Sequence, residues 1–216
     1  MLMKQLLGKS YIIKLIWIFI IGSLCGYFIE TGYYFLKHGV FMSKQGLLYG
    51  HIKPIYGFAS VLITLFLSAF VNKNHFKIYV YGCFLGGAFE YLCSLVLQYF
   101  FHTQMWHYHN KYLNINGRVN LLYLPVWGLA ALLWLKFVIP YFNKIFDKLP
   151  EKIMKYITIV ITSLIILDFG ISIVAVRRMK YRNKGIEPKN HFQVFLDKHY
   201  TDEFIKKRIP YLKIVD

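Results

Sequence analysis

Long apolar blocks separated by short polar connections dominate this chain. They run over Tyr11–Leu36, Pro54–Val71, Ile78–Phe101, Leu121–Phe142 and Met154–Val176. Each block is continuously apolar, not alternating, so each predicts a helix and not a barrel strand. A helix of roughly 20 residues crosses the hydrocarbon core of a bilayer. The pattern therefore predicts an all-α membrane protein with about five transmembrane helices. The first and third blocks exceed that length and can tilt or project beyond the bilayer. Lys4, Lys9 and Lys14 precede the first block as they would in a signal peptide. The block is too long for an h-region, however, and no small-x-small site follows, so it reads as a retained helix.

The blocks repeat. "GSLCGYFIE" (Gly22–Glu30) and "GCFLGGAFE" (Gly82–Glu90) share the pattern G-x-x-x-G-x-x-x-E, 60 residues apart. "PIYGFA" (Pro54–Ala59) matches "PVWGLA" (Pro125–Ala130), and "LLY" precedes each proline. The first four helices thus form an internal repeat of two-helix units, about 11–71 and 78–142. A two-helix unit returns to its starting side, so the copies run parallel, related by a pseudo-two-fold along the membrane normal. The fifth helix (about 154–176) and a basic tail (177–216) stand outside the repeat.

Residues at i, i+4 and i+8 drift by only about 80° around a helix. Gly22, Gly26 and Glu30 therefore share a stripe, as do Gly82, Gly86 and Glu90. Glycines at that spacing allow two helix backbones to approach closely, so the glutamate stripes are predicted to face a neighbouring helix. Of ten acidic residues, Glu30 and Glu90 are the two that precede Asp147. A carboxylate in hydrocarbon needs a partner, a proton or a water-filled cavity. Repulsion between two of them would raise a pKa or recruit a cation. Lys53 and Arg118, each ahead of the second helix of its unit, are the candidate basic partners. Asp168 in the fifth helix is a third buried acid, suited to cap the same site or pair with another helix. The opposing reading is that the glutamates clamp helices by hydrogen bonding.

Composition sharpens this picture. The chain is 57% hydrophobic, against roughly 45–50% in globular proteins. The net charge of +16 would suggest nucleic acid in a soluble protein; here the basic residues flank the apolar blocks and suit lipid headgroups, so no nucleic-acid partner is expected. Cys25, Cys83 and Cys93 all lie in apolar blocks and form no disulfide or zinc framework. The N-terminal side carries nine lysines: Lys4, Lys9, Lys14, Lys73, Lys77, Lys144, Lys148, Lys152 and Lys155. The other side carries eleven Lys and Arg up to Lys189, with "RRMKYR" abutting the last helix. The positive-inside rule then places the tail in the cytoplasm.

The connections 37–53 and 102–120 are rich in aromatic and polar residues, and "NING" (Asn114–Gly117) is a turn signal ahead of Arg118. His102, His107 and His109 could in principle ligate zinc, copper or nickel. No acid or cysteine lies near them, so interfacial histidines beside Trp106 and Tyr108 are the simpler reading. No phosphate loop, G-x-S-x-G elbow or H-E-x-x-H is found. The chain thus offers neither a catalytic signature nor ATP binding of its own. In the tail, Phe192, Phe195, Leu196, Phe204 and Ile205 predict short amphipathic helices, either lying on the membrane surface or docking a partner.

"GYFIE", "GLLYGHIKPIYGFA", "FEYLCS", "WHYHNKYLNINGR" and "PVWGLA", in that order, resemble the bacterial family described as "putative ABC-transporter permease, type IV", CmpB-like. The resemblance covers about residues 11–142, and "FLDKHYTDEFIKKRIP" is similar to the ends of some members. Glu30, Glu90, Tyr56, Gly57, Asn116, Gly117 and Arg118 match its pattern. The family's N-R-G stands at Lys44–Gly46, its G-P at Gly50–His51 and its W-D-Y-S at Trp106–His109, so its loop chemistry does not carry over. The resemblance implies a permease subunit that meets ATP only through a separate ATPase. The E-A-A coupling loop of import permeases is absent. Two functions are therefore carried forward. The first is a membrane transport protein, monomeric or dimeric, whose substrate or ion path is lined from Glu30, Glu90, Asp168, Arg118, Tyr56 and Asn116. The second is a non-transporting enzyme, regulator or scaffold.

Overall fold

The computed structural model describes residues 10–71 and 74–215. Lys4, Lys9 and Lys73, which enter the charge comparison above, lie outside the described residues. The chain is an all-α membrane protein. Helix α1 spans Tyr11–His38, α2 Pro54–Leu67 and α3 His75–Phe101. A 3-10 turn at Ser68–Phe70 extends α2. The next span opens with a 3-10 turn at Leu121–Tyr123, continues as α4 (Leu124–Leu133), and passes through a π-helical stretch at Trp134–Val138 into α5 (Ile139–Phe146). Pro140 lacks an N–H and crowds the preceding turn, which accounts for the wide turn there. Helix α6 spans Glu151–Asn183, and the tail forms α7 (His191–His199) and α8 (Asp202–Arg208).

Four of these segments are long and apolar enough to cross a membrane: Tyr11–His38, His75–Phe101, Leu121–Phe146 and Glu151–Asn183. Pro54–Phe70, expected as the second of about five spans, forms a shorter apolar helix. The last span is longer than its apolar block at both ends, because charged residues at its ends prolong the helix beyond the hydrophobic pattern. Large apolar side chains stand exposed along all four spans, for example Phe28, Phe84, Tyr141 and Leu164. In water such a surface would aggregate; in a bilayer it meets lipid.

Two tight hairpins, α1 with α2 and α3 with α4, form the body. Their contacts recur at offsets of 60 residues on the first helix and 71 on the second. Gly26 lies against the Tyr56 ring and Gly86 against the Trp127 ring. Gly57 lies against Phe19 and Ser23, and Gly128 against Tyr79 and Cys83. A Cβ on Gly26 or Gly86 would overlap the facing aromatic ring. The shared core includes Ile18, Ile63, Ile78, Leu135 and Ile139. Trp134 Nε1 donates to Thr64 Oγ1 at 2.8 Å, joining the two hairpins. Helix α6 packs on α1, where Trp17 Nε1 donates to Thr158 Oγ1 at 2.7 Å.

The connections do not cross the ends of their helices directly. The Lys53 N–H donates to the Ser23 carbonyl at 3.0 Å. Ser23 is 15 residues before the end of α1, so the first connection descends about 20 Å beside α1 before α2 begins. The third behaves alike, since Leu124 meets Gly87, far from the end of α3. The tail closes over both connections. Strand β1 (Thr103–Gln104) pairs antiparallel with β4 (Lys213–Ile214), and a hairpin of β2 (Asn114–Ile115) and β3 (Val119–Asn120) lies between. On the opposite face, Lys14 pairs with Asp147 at 2.8 Å and Ser10 donates to Glu151 at 3.1 Å.

The tail docks on its own chain, which neither sequence reading anticipated. Buried Arg178 grips Asp197 with two bonds of 2.8 and 2.7 Å, and Arg182 reaches both Asp197 and Asp202 at 2.5 Å. Leu196, Tyr200, Ile205 and Ile209 pack with Leu48, Ala175 and Met179. Two residues of the basic cluster expected to face headgroups are thus occupied by the tail's own acids.

Two outcomes are expected. Gly26→Val or Gly86→Val should cost about 1–3 kcal/mol through overpacking, read as a lower melting temperature in detergent. Gly32→Ala, which meets nothing within 4 Å, should be neutral or stabilising. Hydrogen bonding to Arg178 holds Asp197 below the ordinary carboxylate range. Its contribution is therefore present above the unfolded pKa of about 3.9 and lost as pH falls through the lower folded value. Limited proteolysis of the tail should accelerate below about pH 4, and in Asp197→Asn already at neutral pH.

Candidate functional site

Glu30 and Glu90 stand in equivalent places, each on the first helix of a hairpin and beside the first turns of the second. A helix N-terminus carries partial positive charge, so both positions favour an anion. Tyr56 OH donates to Glu30 Oε1 at 2.6 Å, and Trp127 Nε1 donates to Glu90 Oε2 at 3.1 Å. These donors are themselves equivalent, since Trp127 occupies the Tyr56 position of the repeat. Their rings stack with centroids 5.9 Å apart and planes 25° from parallel. The two carboxylates thus lie at the ends of one line, Glu30–Tyr56–Trp127–Glu90, that crosses from one hairpin to the other.

The two ends differ in charge. Glu30 forms an ion pair with Lys53 Nζ. The residue equivalent to Lys53 is Leu124, and buried Glu90 instead accepts a bond from Tyr108 OH at 2.9 Å. Burial, then the nearby Glu90 and Glu30 carboxylates, push the Tyr108 phenol far above its ordinary range. Tyr108 therefore keeps its proton and acts as a donor. Arg118, the other sequence candidate for a basic partner, does not reach Glu90. Its guanidinium donates to Ser94 Oγ at 3.0 Å and to Gln98 Oε1. Asn116 and Gly117 both adopt positive φ (51° and 66°) in the hairpin turn, and the Arg118 side chain meets α3 one and two turns beyond Glu90 on the same stripe. Asn116 likewise bonds Tyr91 OH at 3.0 Å, away from the glutamates.

A cationic and aromatic cluster covers Glu30 from the tail side. Lys44 Nζ lies 4.3 Å from the Tyr34 ring centroid and 4.7 Å from that of Tyr211, and Lys53 Nζ lies 5.0 Å from Tyr211. Tyr211 OH donates to the Gln45 carbonyl. Burial lowers both lysines from their ordinary values, with the Glu30 charge acting in the opposite sense. Tyr211 and Lys44 were not legible as site residues, because the tail's return is not encoded in any local pattern. Trp127 could have been found by aligning the two repeat units.

Asp168 serves the first connection. It accepts the Gly50 N–H at 2.6 Å, the Tyr49 N–H at 3.2 Å and the Ser172 hydroxyl at 3.2 Å. It fixes the loop and makes no bond to the other two acids. His102 ends α3 in a left-handed conformation, His107 lies 3.3 Å from Lys213 Nζ, and His109 packs against Gly117. Among the described residues no three His, Cys, Asp or Glu side chains gather as a metal site. The glycines predicted for packing, Gly22, Gly26, Gly82 and Gly86, all lie at the helix contacts of the hairpins.

A double-mutant cycle checks the Glu30 end. Lys53→Met should lower the melting temperature by leaving Glu30 uncompensated. Adding Glu30→Gln should restore much of the loss, giving a coupling energy of about 1–3 kcal/mol.

Comparison with known proteins returned one family. Its description is "Putative ABC-transporter type IV", and it matches residues 17–173, from α1 into α6. No curated protein and no solved structure matched the chain. The matched region covers more than half of the 216 residues and includes both glutamate positions. On that extent of match, the chain belongs to the family described as "Putative ABC-transporter type IV".

Proposed function

We propose that this protein is a permease-like subunit of a membrane transport system, with Glu30 and Glu90 beside a central path between its two hairpins. The observation that carries this reading is the unequal treatment of two equivalent carboxylates. A clamp needed only to hold helices would be satisfied identically in both copies. Here Glu30 holds a lysine while Glu90 holds neutral donors alone. In charge terms the line lacks one positive charge at the Glu90 end, which a proton or a cation would supply. Tyr56 and Trp127 would carry a change at one end to the other, because each ring touches both its own carboxylate and its counterpart. Asp168, Arg118 and Asn116 bond to the first connection, to Ser94 and Gln98, and to Tyr91 respectively, and to neither glutamate.

Family membership supports an ATPase partner on a separate chain. In this reading the tail face is cytoplasmic, since it carries the Arg177–Arg182 cluster, and an ATPase would engage it there.

Two measurements test the proposal. A mild-detergent pull-down of the tagged protein from its own cells should recover an ATPase subunit in stoichiometric amount; its clean absence would count against the permease reading. Glu30→Gln and Glu90→Gln should insert and fold yet fail to complement a deletion strain. Full complementation by both would remove the glutamates from the path, and loss of folding alone would favour the clamp.

A further inference from the structure

Two cavities lie along α3, with Tyr91 lining both. One, of about 340 Å³, is polar and is lined by Arg118, Gln98, Asn116, His109, Gln104 and Tyr91, among others. The second, of about 580 Å³, is almost wholly apolar, with Phe84, Ala88, Leu92, Leu121 and Tyr91 in its walls. Tyr91 is the wall they share. Phe84, Ala88, Tyr91, Leu95 and Gln98 recur at i, i+4, i+7, i+11 and i+14, so one continuous stripe of α3 forms the floor of both. That stripe rises about 21 Å along the helix axis. Its polar end lies beside the third connection and the chain's aromatic loop; its apolar end lies along the span.

The polar end is built for an anion. Arg118 uses two of its five N–H donors on Ser94 and Gln98, which fix the guanidinium plane. Among the described residues no carboxylate pairs with it, and no acidic side chain lines either cavity. Asn116 ties the lip to Tyr91 at 3.0 Å, and the Arg118 carbonyl accepts from Trp106 Nε1 at 2.9 Å, so both sides of the entrance are held.

We propose that the two cavities form one site for an anionic phospholipid, with its phosphate at Arg118 and an acyl chain in the groove along α3. An arginine with no carboxylate partner among the described residues, bonded to α3 about one turn from its end and next to an apolar groove, matches the layout of such a lipid, charge above chain. The commitment to a lipid over a free anion rests on the two cavities lying end to end along one stripe of α3. The site is separate from the Glu30–Glu90 line and does not depend on the transport reading.

The test is native mass spectrometry of the full-length protein in detergent, titrated with phosphatidylglycerol and phosphatidylcholine of identical chains, and with inorganic phosphate. Phosphatidylglycerol should bind about fivefold more tightly than phosphatidylcholine, the effect of one basic residue at a membrane surface. Arg118→Gln should abolish that preference. Gln98→Glu, which leaves Arg118 in place but neutralises it, should do the same and guards against misfolding of the first variant. Ala88→Trp, which fills the groove, should weaken both lipids. Equal binding of the two lipids by the unaltered protein, or a preference that survives Gln98→Glu, would overturn the proposal. Displacement of phosphatidylglycerol by an equal concentration of inorganic phosphate would show a free-anion pocket and overturn it as well, as would unchanged lipid binding by Ala88→Trp.

Discussion

Close approach of two helices at glycine is the constraint on which this architecture rests. Lipid chains are as apolar as leucine, so burying hydrophobic surface does not hold membrane helices together. Packing must do so, and it needs small residues. Gly26 and Gly86 each receive a whole aromatic ring from the facing helix. That contact brings Tyr56 and Trp127 to the carboxylates one turn further along, and also sets the two rings against each other. Helix packing and acid placement are therefore one feature. A larger residue at either glycine would move the donor away from its glutamate.

Each carboxylate is then accommodated by local means. Both sit at the positive end of a helix that starts deep beside its partner, because the connection descends before the helix begins. Beyond that shared field the two solutions diverge. Lys53 neutralises Glu30, whereas Leu124 in the equivalent place leaves Glu90 to the neutral donors Tyr108 and Trp127. Unpaired charge in a low-dielectric setting is costly. Glu90 is the more buried of the two, and its bonds come from neutral donors.

The tail completes the fold by covering what the hairpins leave open. Arg178 and Arg182 on α6 hold Asp197 and Asp202, and Tyr211 lies between Lys44 and Lys53 above Glu30. The strand pairing of β1 with β4 fastens the chain end to the third connection. Loops that would otherwise be loose at the membrane face thereby become a fixed roof over the Glu30 end of the line.

By itself the sequence determined the class, the approximate spans, the repeat and the glycine–glutamate stripes. Those features are periodic or compositional, and hydropathy and helical spacing read them directly. Helix ends shifted where charged residues prolonged α6, because hydrogen bonding continues past the apolar pattern. Only the tertiary structure decided which groups meet the glutamates. Lys53 and Arg118 looked alike in sequence, each ahead of a second helix. The third connection delivers Arg118 to Ser94 and Gln98, one and two turns beyond Glu90 on α3, while the descending first connection carries Lys53 to Glu30. Tyr108, Tyr211 and the self-docking of the tail depend on contacts between residues far apart in the chain. Chain order carries no local signal for such contacts, so they followed from packing alone.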